Sequence, residues 1–166
     1  MEAHVKLHNA AIITASNRAS RGIYADTSGA ILSTGLQELG FNVAIHVVVP
    51  DSVTLIAAEI SQAINAKIDL IVTTGGTGIS PTDVTPEATA PLIDKVLPGI
   101  SEALRAYSRE KVPTSDLSRG LAGSTASSLI INLPGSPGGV RDGLVIIGRL
   151  AVHAISQLAG GDHEQP

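Results

Sequence analysis

An α/β fold in three layers, a mostly parallel sheet with helices on both faces, is predicted by three features of this sequence. Four short apolar runs rich in Val, Ile and Thr alternate with segments whose apolar residues recur at helical spacing. The runs are continuous rather than alternating, as expected of strands covered on both faces. Each run also ends in a polar or glycine-bearing loop, which collects those loops at the carboxyl ends of the strands, where open α/β sheets bind ligands.

Ala10 to Ala15 is the first run, with β-branched Ile12, Ile13 and Thr14, and it stops at Ser16-Asn17-Arg18. Ile31, Leu32, Leu36 and Leu39 then predict a helix, with Asp26 or Thr27 as N-cap and Gly40 as the stop. Val43 to Val49 is the second strand, closed by Pro50 and Asp51, and Ile56, Ile60 and Ile64 at steps of four predict the following helix. Leu70 to Thr74 makes the third strand, broken by Gly75-Gly76. Thr85-Pro86-Glu87 opens another helix, with cap, first-turn proline and first-turn acid in order. A further helix is predicted from about Gly99 to Arg109. The polar stretch around Pro113, Thr114 and Ser115 suggests no conformation, and Leu129 to Leu133 is the last strand. It stops at Pro134-Gly135, and the final helix resumes after Gly139 and runs towards Leu158.

The 166 residues show no compositional break. They read as one domain, 1–166 with an ordered core over about 8–160, able to bury roughly two thirds of its unfolded surface. Hydrophobic residues make up 43% and aromatics 2%, so the core must be aliphatic. The absence of cysteine removes disulfides, thiolate metal sites and thiol nucleophiles together. Met1 to His8 lack the apolar run of a signal peptide, and no stretch approaches ~20 uninterrupted apolar residues. A cytoplasmic protein without a membrane partner is expected. A formal net charge of −4 argues against a nucleic-acid partner. Phosphate would have to be held locally, by backbone amides, hydroxyls and a metal ion.

The segment TTGGTGISPTDVTPEA, Thr73 to Ala88, carries the most information. Gly75, Gly76 and Gly78 let the backbone approach a ligand closely, Thr77 adds a hydroxyl, and unpaired amides in such a loop suit phosphate oxygens. The plainer alternative is a tight strand-to-helix turn. Neither GxxxxGK[ST] nor a satisfied GxGxxG is present, which disfavours a P-loop NTPase and a dinucleotide oxidoreductase. Asp83 in this loop and Asp51 after the neighbouring strand can meet at the ligand edge, supplying the one or two carboxylates that Mg²⁺ takes beside substrate phosphates. Alternatively, Asp51 caps the following helix and Asp83 a turn. Pro134, Gly135 and Ser136 lie in a second strand-ending loop, LPGSPGG, which alone is a rigid turn. The five histidines are too scattered for a metal cluster, and His153 reads as packed or exposed rather than catalytic.

Three motifs in order, TTGGTGISPTDVTPEA, SRG at Ser118 to Gly120 and LIINLPGSP at Leu129 to Pro137, resemble the molybdopterin adenylyltransferase family, the G-domain type of molybdenum cofactor enzymes. TASNRAS and DTSG, Thr14 to Ser20 and Asp26 to Gly29, fall where that family has its TVSD-like and DxxG motifs, so the likeness spans about residues 8 to 160. The resemblance implies a molybdopterin-binding fold, usually a homotrimer, that joins AMP from ATP to the terminal phosphate of molybdopterin with Mg²⁺ and releases pyrophosphate. It assigns the two essential acids to Asp51 and Asp83. By the same matching Thr14, Ser16, Asp26, Ser118 and Ser127 help hold the pterin, while Gly75, Gly76, Thr77, Gly78, Pro134, Gly135 and Ser136 surround the phosphates and nucleotide. A transient contact with the molybdenum-insertion enzyme is a further implied partner.

Two positions depart from the family. Thr82 stands where many members have arginine before the acid, leaving Arg18, Arg119 or Arg141 as replacements, and Asn17 stands where the TVSD motif has a carboxylate. The rival reading is a molybdopterin-binding paralogue that kept the fold and lost adenylylation. Related glycine loops also occur in molybdenum-insertion enzymes and competence-damage-type proteins. A purely structural oligomer would leave the clustered acids and phosphate-type loops unexplained.

Overall fold

The computed structural model describes residues 7–161, so the expectation for Met1 to His8 falls largely outside the described residues. Six strands form one sheet in the order β2-β1-β3-β6-β5-β4: β1 (His8–Ala15), β2 (Phe41–Val49), β3 (Leu70–Thr74), β4 (Lys95–Val96), β5 (Ala122–Ser124) and β6 (Leu129–Leu133). The four longer strands run parallel. The last two positions are antiparallel, β5 to β6 and β4 to β5. The four apolar runs are therefore the parallel half of the sheet. β4 and β5 escaped the sequence pattern because two exposed residues and a short Ala-Gly-Ser segment carry no apolar run.

The helices are α1 (Asn17–Ser20), α2 (Thr27–Glu38), α3 (Val53–Asn65), α4 (Thr85–Thr89), α5 (Pro98–Arg109) and α6 (Pro137–Leu158). Successive strand side chains point to opposite faces, and the core divides accordingly. Ile12, Val72, Ile131 and Leu133 pack with Leu32 and Leu36 of α2 and Val140, Ile147 and Ala151 of α6 on one face. Ala11, Ile13, Ile71 and Ile130 pack with Ile56, Ile60 and Ala63 of α3 on the other. β2 is an edge strand whose residues alternate between exposed and partly buried, rather than a run buried on both faces.

Local signals resolve in instructive ways. Asp26 caps α2 by accepting from Gly29 N at 2.8 Å. Asp51 does not cap the next helix: that role belongs to Ser52, whose Oγ accepts from Leu55 N. Thr85 is not an N-cap either. It begins α4 and sends its hydroxyl to Gly75 O at 2.9 Å. The final helix starts at Pro137, three residues before the expected start at Val140, with Ser136 as its cap. The polar stretch after α5 forms a 3₁₀ turn over Pro113–Leu117. Among the described residues no helix is long and apolar enough to cross a membrane.

Candidate functional site

The loop after β3 is held so that the carbonyls of Gly75 to Gly78 face the protein and the amides of Gly76 to Gly78 do not. Gly75 O accepts from Thr85 Oγ1 at 2.9 Å and Gly76 O from Thr85 N at 3.1 Å. Thr77 O accepts from Arg119 N at 2.7 Å and Gly78 O from Arg119 Nε at 2.8 Å. Among the described residues, the N–H groups of Gly76, Thr77 and Gly78 donate to no protein acceptor. Consecutive unpaired amides of this kind make a concave anion site. Glycine is required where the loop begins: Gly75 sits at φ +98°, and a Cβ there would collide with the carbonyl oxygen of Ala15 in the neighbouring strand.

The two aspartates converge on this loop from different strands. A Cβ on Gly76 would lie 3.5 Å from Asp51 Oδ1, and one on Gly78 would lie 2.7 Å from Asp83 Oδ2. Asp51 is fixed by a reciprocal clasp in which Asn17 N donates to Asp51 Oδ2 and Asp51 N donates to Asn17 Oδ1, both at 3.0 Å. Asn17 thus supplies an acceptor oxygen that a carboxylate would also supply, without adding a negative charge beside Asp51. Asp83 Oδ2 accepts from Ser80 N at 2.9 Å, so the turn-capping alternative describes one of its oxygens. The second oxygen of each acid, Oδ1, has no protein partner among the described residues.

Two hollows open on either side of the loop, of about 490 Å³ and about 830 Å³, and both are lined by Gly76, Asp83 and Gly135. The smaller contains Thr14, Ser16, Asp26 and Asp51. Its polar groups are largely engaged with one another: Asp26 Oδ2 accepts from Thr14 Oγ1 at 2.7 Å and lies 3.0 Å from His46 Nε2, while Ser16 Oγ accepts from Ala19 N at 3.1 Å. The larger contains Thr77, Gly78, Ser118, Pro134 and Ser136, so the residues matched to the pterin are divided between the two hollows. Gly138 and Gly139, in the first turn of α6, also face it, adding the positive end of a 22-residue helix.

Ser127 is not brought to this site. It borders a separate hollow of about 390 Å³ with Asn65, Lys67 and Asp94, just before β6 begins and hence at the opposite end of the sheet.

Of the three arginines offered as replacements, Arg119 is consumed within the fold. Its Nη2 donates to Asp83 O at 2.9 Å and its Nη1 to Glu87. That hydrogen bond holds the Glu87 carboxyl below its ordinary range and raises Arg119 further. Arg18 lines neither hollow, whereas Arg141 borders the larger one. The sequence reading missed Lys111 and Asp142, which pair at 2.9 Å on the wall of the larger hollow, with Ser108 Oγ donating to the same carboxylate at 2.8 Å. Their 31-residue separation hides the pair, and only the packing of α5 on α6 reveals it. The hydrogen bond to Asp142 raises the Lys111 ammonium above its ordinary range.

Residues 11–154 match the family described as "probable molybdopterin binding domain". A molybdopterin adenylyltransferase of Helicobacter pylori is 43% identical over 134 residues, covering 79% of this chain and 76% of that protein. The molybdenum cofactor biosynthesis protein B of Escherichia coli is 40% identical over 128 residues, covering 76% and 74%. Among solved structures, the molybdopterin biosynthesis Mog protein of Mycobacterium ulcerans superposes with a TM-score of 0.87 at 47% identity, covering 91% of this chain and 99% of that one. With its glycine loop and paired acids in a sheet of this topology, the chain belongs to the molybdopterin-binding domain family.

Proposed function

We propose that this protein is a molybdopterin adenylyltransferase of molybdenum cofactor biosynthesis: it transfers AMP from ATP to the terminal phosphate of molybdopterin and releases pyrophosphate. The observation that carries this reading is the convergence of Asp51 and Asp83, each with a carboxylate oxygen free among the described residues, on a loop whose amides at Gly76, Thr77 and Gly78 find no protein acceptor there. The names of its relatives support it.

In this reaction a terminal phosphate oxygen of molybdopterin attacks the α-phosphorus of ATP, and the bond from that phosphorus to the bridging oxygen of pyrophosphate breaks. The nucleophile is already ionised, so no strong general base is needed and positioning dominates. The Gly76–Gly78 amides and the first turn of α6 would hold phosphate oxygens, and the two hollows that meet at Gly76, Asp83 and Gly135 would give each substrate its own lobe. Two hard oxygen donors fit Mg²⁺, which completes its shell with water and substrate phosphates. Asp51 and Asp83 would hold the ion, which when bound neutralises charge on the departing pyrophosphate.

The same reading carries a homotrimer, a cytoplasmic location and a transient contact with the molybdenum-insertion enzyme that would use the product. Val145 and Val152, exposed on α6, offer apolar surface for self-assembly. Incubating the purified protein with molybdopterin and Mg-ATP should yield adenylylated pterin and pyrophosphate in equal amounts. Tight pterin binding with no AMP transfer would instead identify a binding paralogue.

A further inference from the structure

Arg119 is tied to the glycine loop more thoroughly than a surface arginine needs to be. Its backbone N–H donates to Thr77 O at 2.7 Å, its Nε to Gly78 O at 2.8 Å and its Nη2 to Asp83 O at 2.9 Å. The remaining nitrogen is anchored on Glu87, a residue of α4, the same short helix whose Thr85 holds the Gly75 and Gly76 carbonyls. One side chain therefore bridges the two ends of the Gly78–Asp83 turn and fastens both to α4. The side chains of Arg119 and Glu87 are 38% and 50% exposed, so their removal leaves no buried unpaired charge and leaves the core alone.

We propose that Arg119, anchored by Glu87, is a positioning residue: Thr85 fixes the first two peptides of the loop, and Arg119 fixes the rest, turning the Thr77 carbonyl inward so that the Gly78 amide faces the phosphates and holding the Gly78 and Asp83 carbonyls so that the Asp83 carboxylate keeps its place. The inference rests on the adenylyltransferase reading for its kinetic consequence but not for its geometry. With its nitrogens committed to two carbonyls and a carboxylate, Arg119 does not act as the missing phosphate-binding arginine. Lysine cannot replace it, because a single ammonium lacks the planar fork that reaches Gly78 O, Asp83 O and Glu87 together. Gly78 O released from this clamp is free to turn its oxygen towards the phosphates and repel them, and Asp83 loses the bond that fixes its backbone.

The test compares wild type with Arg119→Lys and Glu87→Ala in three measurements: AMP transfer, binding of inorganic pyrophosphate, and hydrogen exchange along the whole chain. Arg119→Lys should lower kcat by about 10- to 100-fold, the scale of a small misplacement, and leave the KM for molybdopterin near the wild-type value. Glu87→Ala should fall in the same direction by less. Exchange should accelerate at the amides of Gly75, Asp83 and Thr85, which are hydrogen-bonded within or beside the loop, and stay unchanged in β1, β3 and β6. Wild-type turnover in Arg119→Lys would overturn the proposal. So would exchange that accelerates throughout the sheet, since the role would then be structural. If wild type transfers no AMP, the adenylyltransferase reading fails by itself. The clamp is then decided by the other two measurements: weaker pyrophosphate binding with local acceleration upholds it, and unchanged pyrophosphate binding sinks it.

Discussion

The two ends of the sheet carry similar polar residues and treat them differently. At the amino end, Asp69 accepts from Asn9 N at 2.8 Å, Ser128 Oγ donates to Ile68 O at 2.6 Å, and Thr125 Oγ1 accepts from Ser127 N and Ser128 N at 3.3 and 3.0 Å. Those loops close on themselves, with His8 Nδ1, 3.8 Å from Asp69, as the buried exception. At the carboxyl end, among the described residues, three consecutive amides and one oxygen on each of two aspartates stay open although the carbonyls from Gly75 to Gly78 are all taken. Bonding capacity left open to the outside, beside carbonyls that are tied to the protein, distinguishes this end from the closed one.

The strongest way to break this contrast is to remove the open oxygens. Asp51→Ala and Asp83→Ala should each cut AMP transfer by about 10²–10³-fold, the scale of losing a preorganised electrostatic contact, while pterin binding measured separately persists. Parallel loss of pterin binding would make the two acids part of the fold instead. A smaller loss is expected from Gly76→Ala. Gly76 has φ +65°, and a Cβ there would strike Thr85 Oγ1. Strain of about 1–3 kcal/mol should appear as a lower Tm together with reduced turnover.

Acid titration sharpens the comparison further. Arg119 holds the Glu87 carboxyl below its ordinary 4.5, so the stabilisation from this pair is complete above that pH and is lost as pH falls through the lowered value. Melting wild type beside Glu87→Gln should therefore show a small gap that is constant near neutrality and closes on the acid side. A gap that opens only in acid would mean the pairing is absent in solution. The smallest effect is expected at the other end: Ser127→Ala should change stability by less than about 0.5 kcal/mol and leave turnover intact. The hydrogen bond from Ser127 to Thr125 Oγ1 uses its backbone N–H, which alanine keeps.

Much of this architecture was legible in the sequence because it rests on strong local signals. Continuous β-branched runs at Ala10 to Ala15, Leu70 to Thr74 and Leu129 to Leu133 gave the parallel strands, and the loops that follow them gave the edge at which the glycine loop, Asp51 and Asp83 meet. The antiparallel margin was not legible. Lys95–Val96 and Ala122–Ser124 are strands because partners meet them, and Gly123 packs closely against Ile93. Asp51 and Asp83 could be found from their places after strands, whereas their fastening could not. The clasp with Asn17, the Lys111–Asp142 pair and the Arg119 clamp all join residues more than 30 positions apart. Ser127 shows the converse error. Matching a motif assigned it to the site, but its position before β6 rather than after it places it at the closed end.

The most direct test of the contrast between the two ends is a crystal structure of the protein soaked with Mg-ATP. Phosphate oxygens should lie against the amides of Gly76, Thr77 and Gly78, with the cation on Asp51 Oδ1 and Asp83 Oδ1 and the Asn17 clasp intact. Nucleotide seated in the hollow beside Ser127, or phosphates remote from the glycine loop with both aspartates bound only to backbone amides, would contradict it.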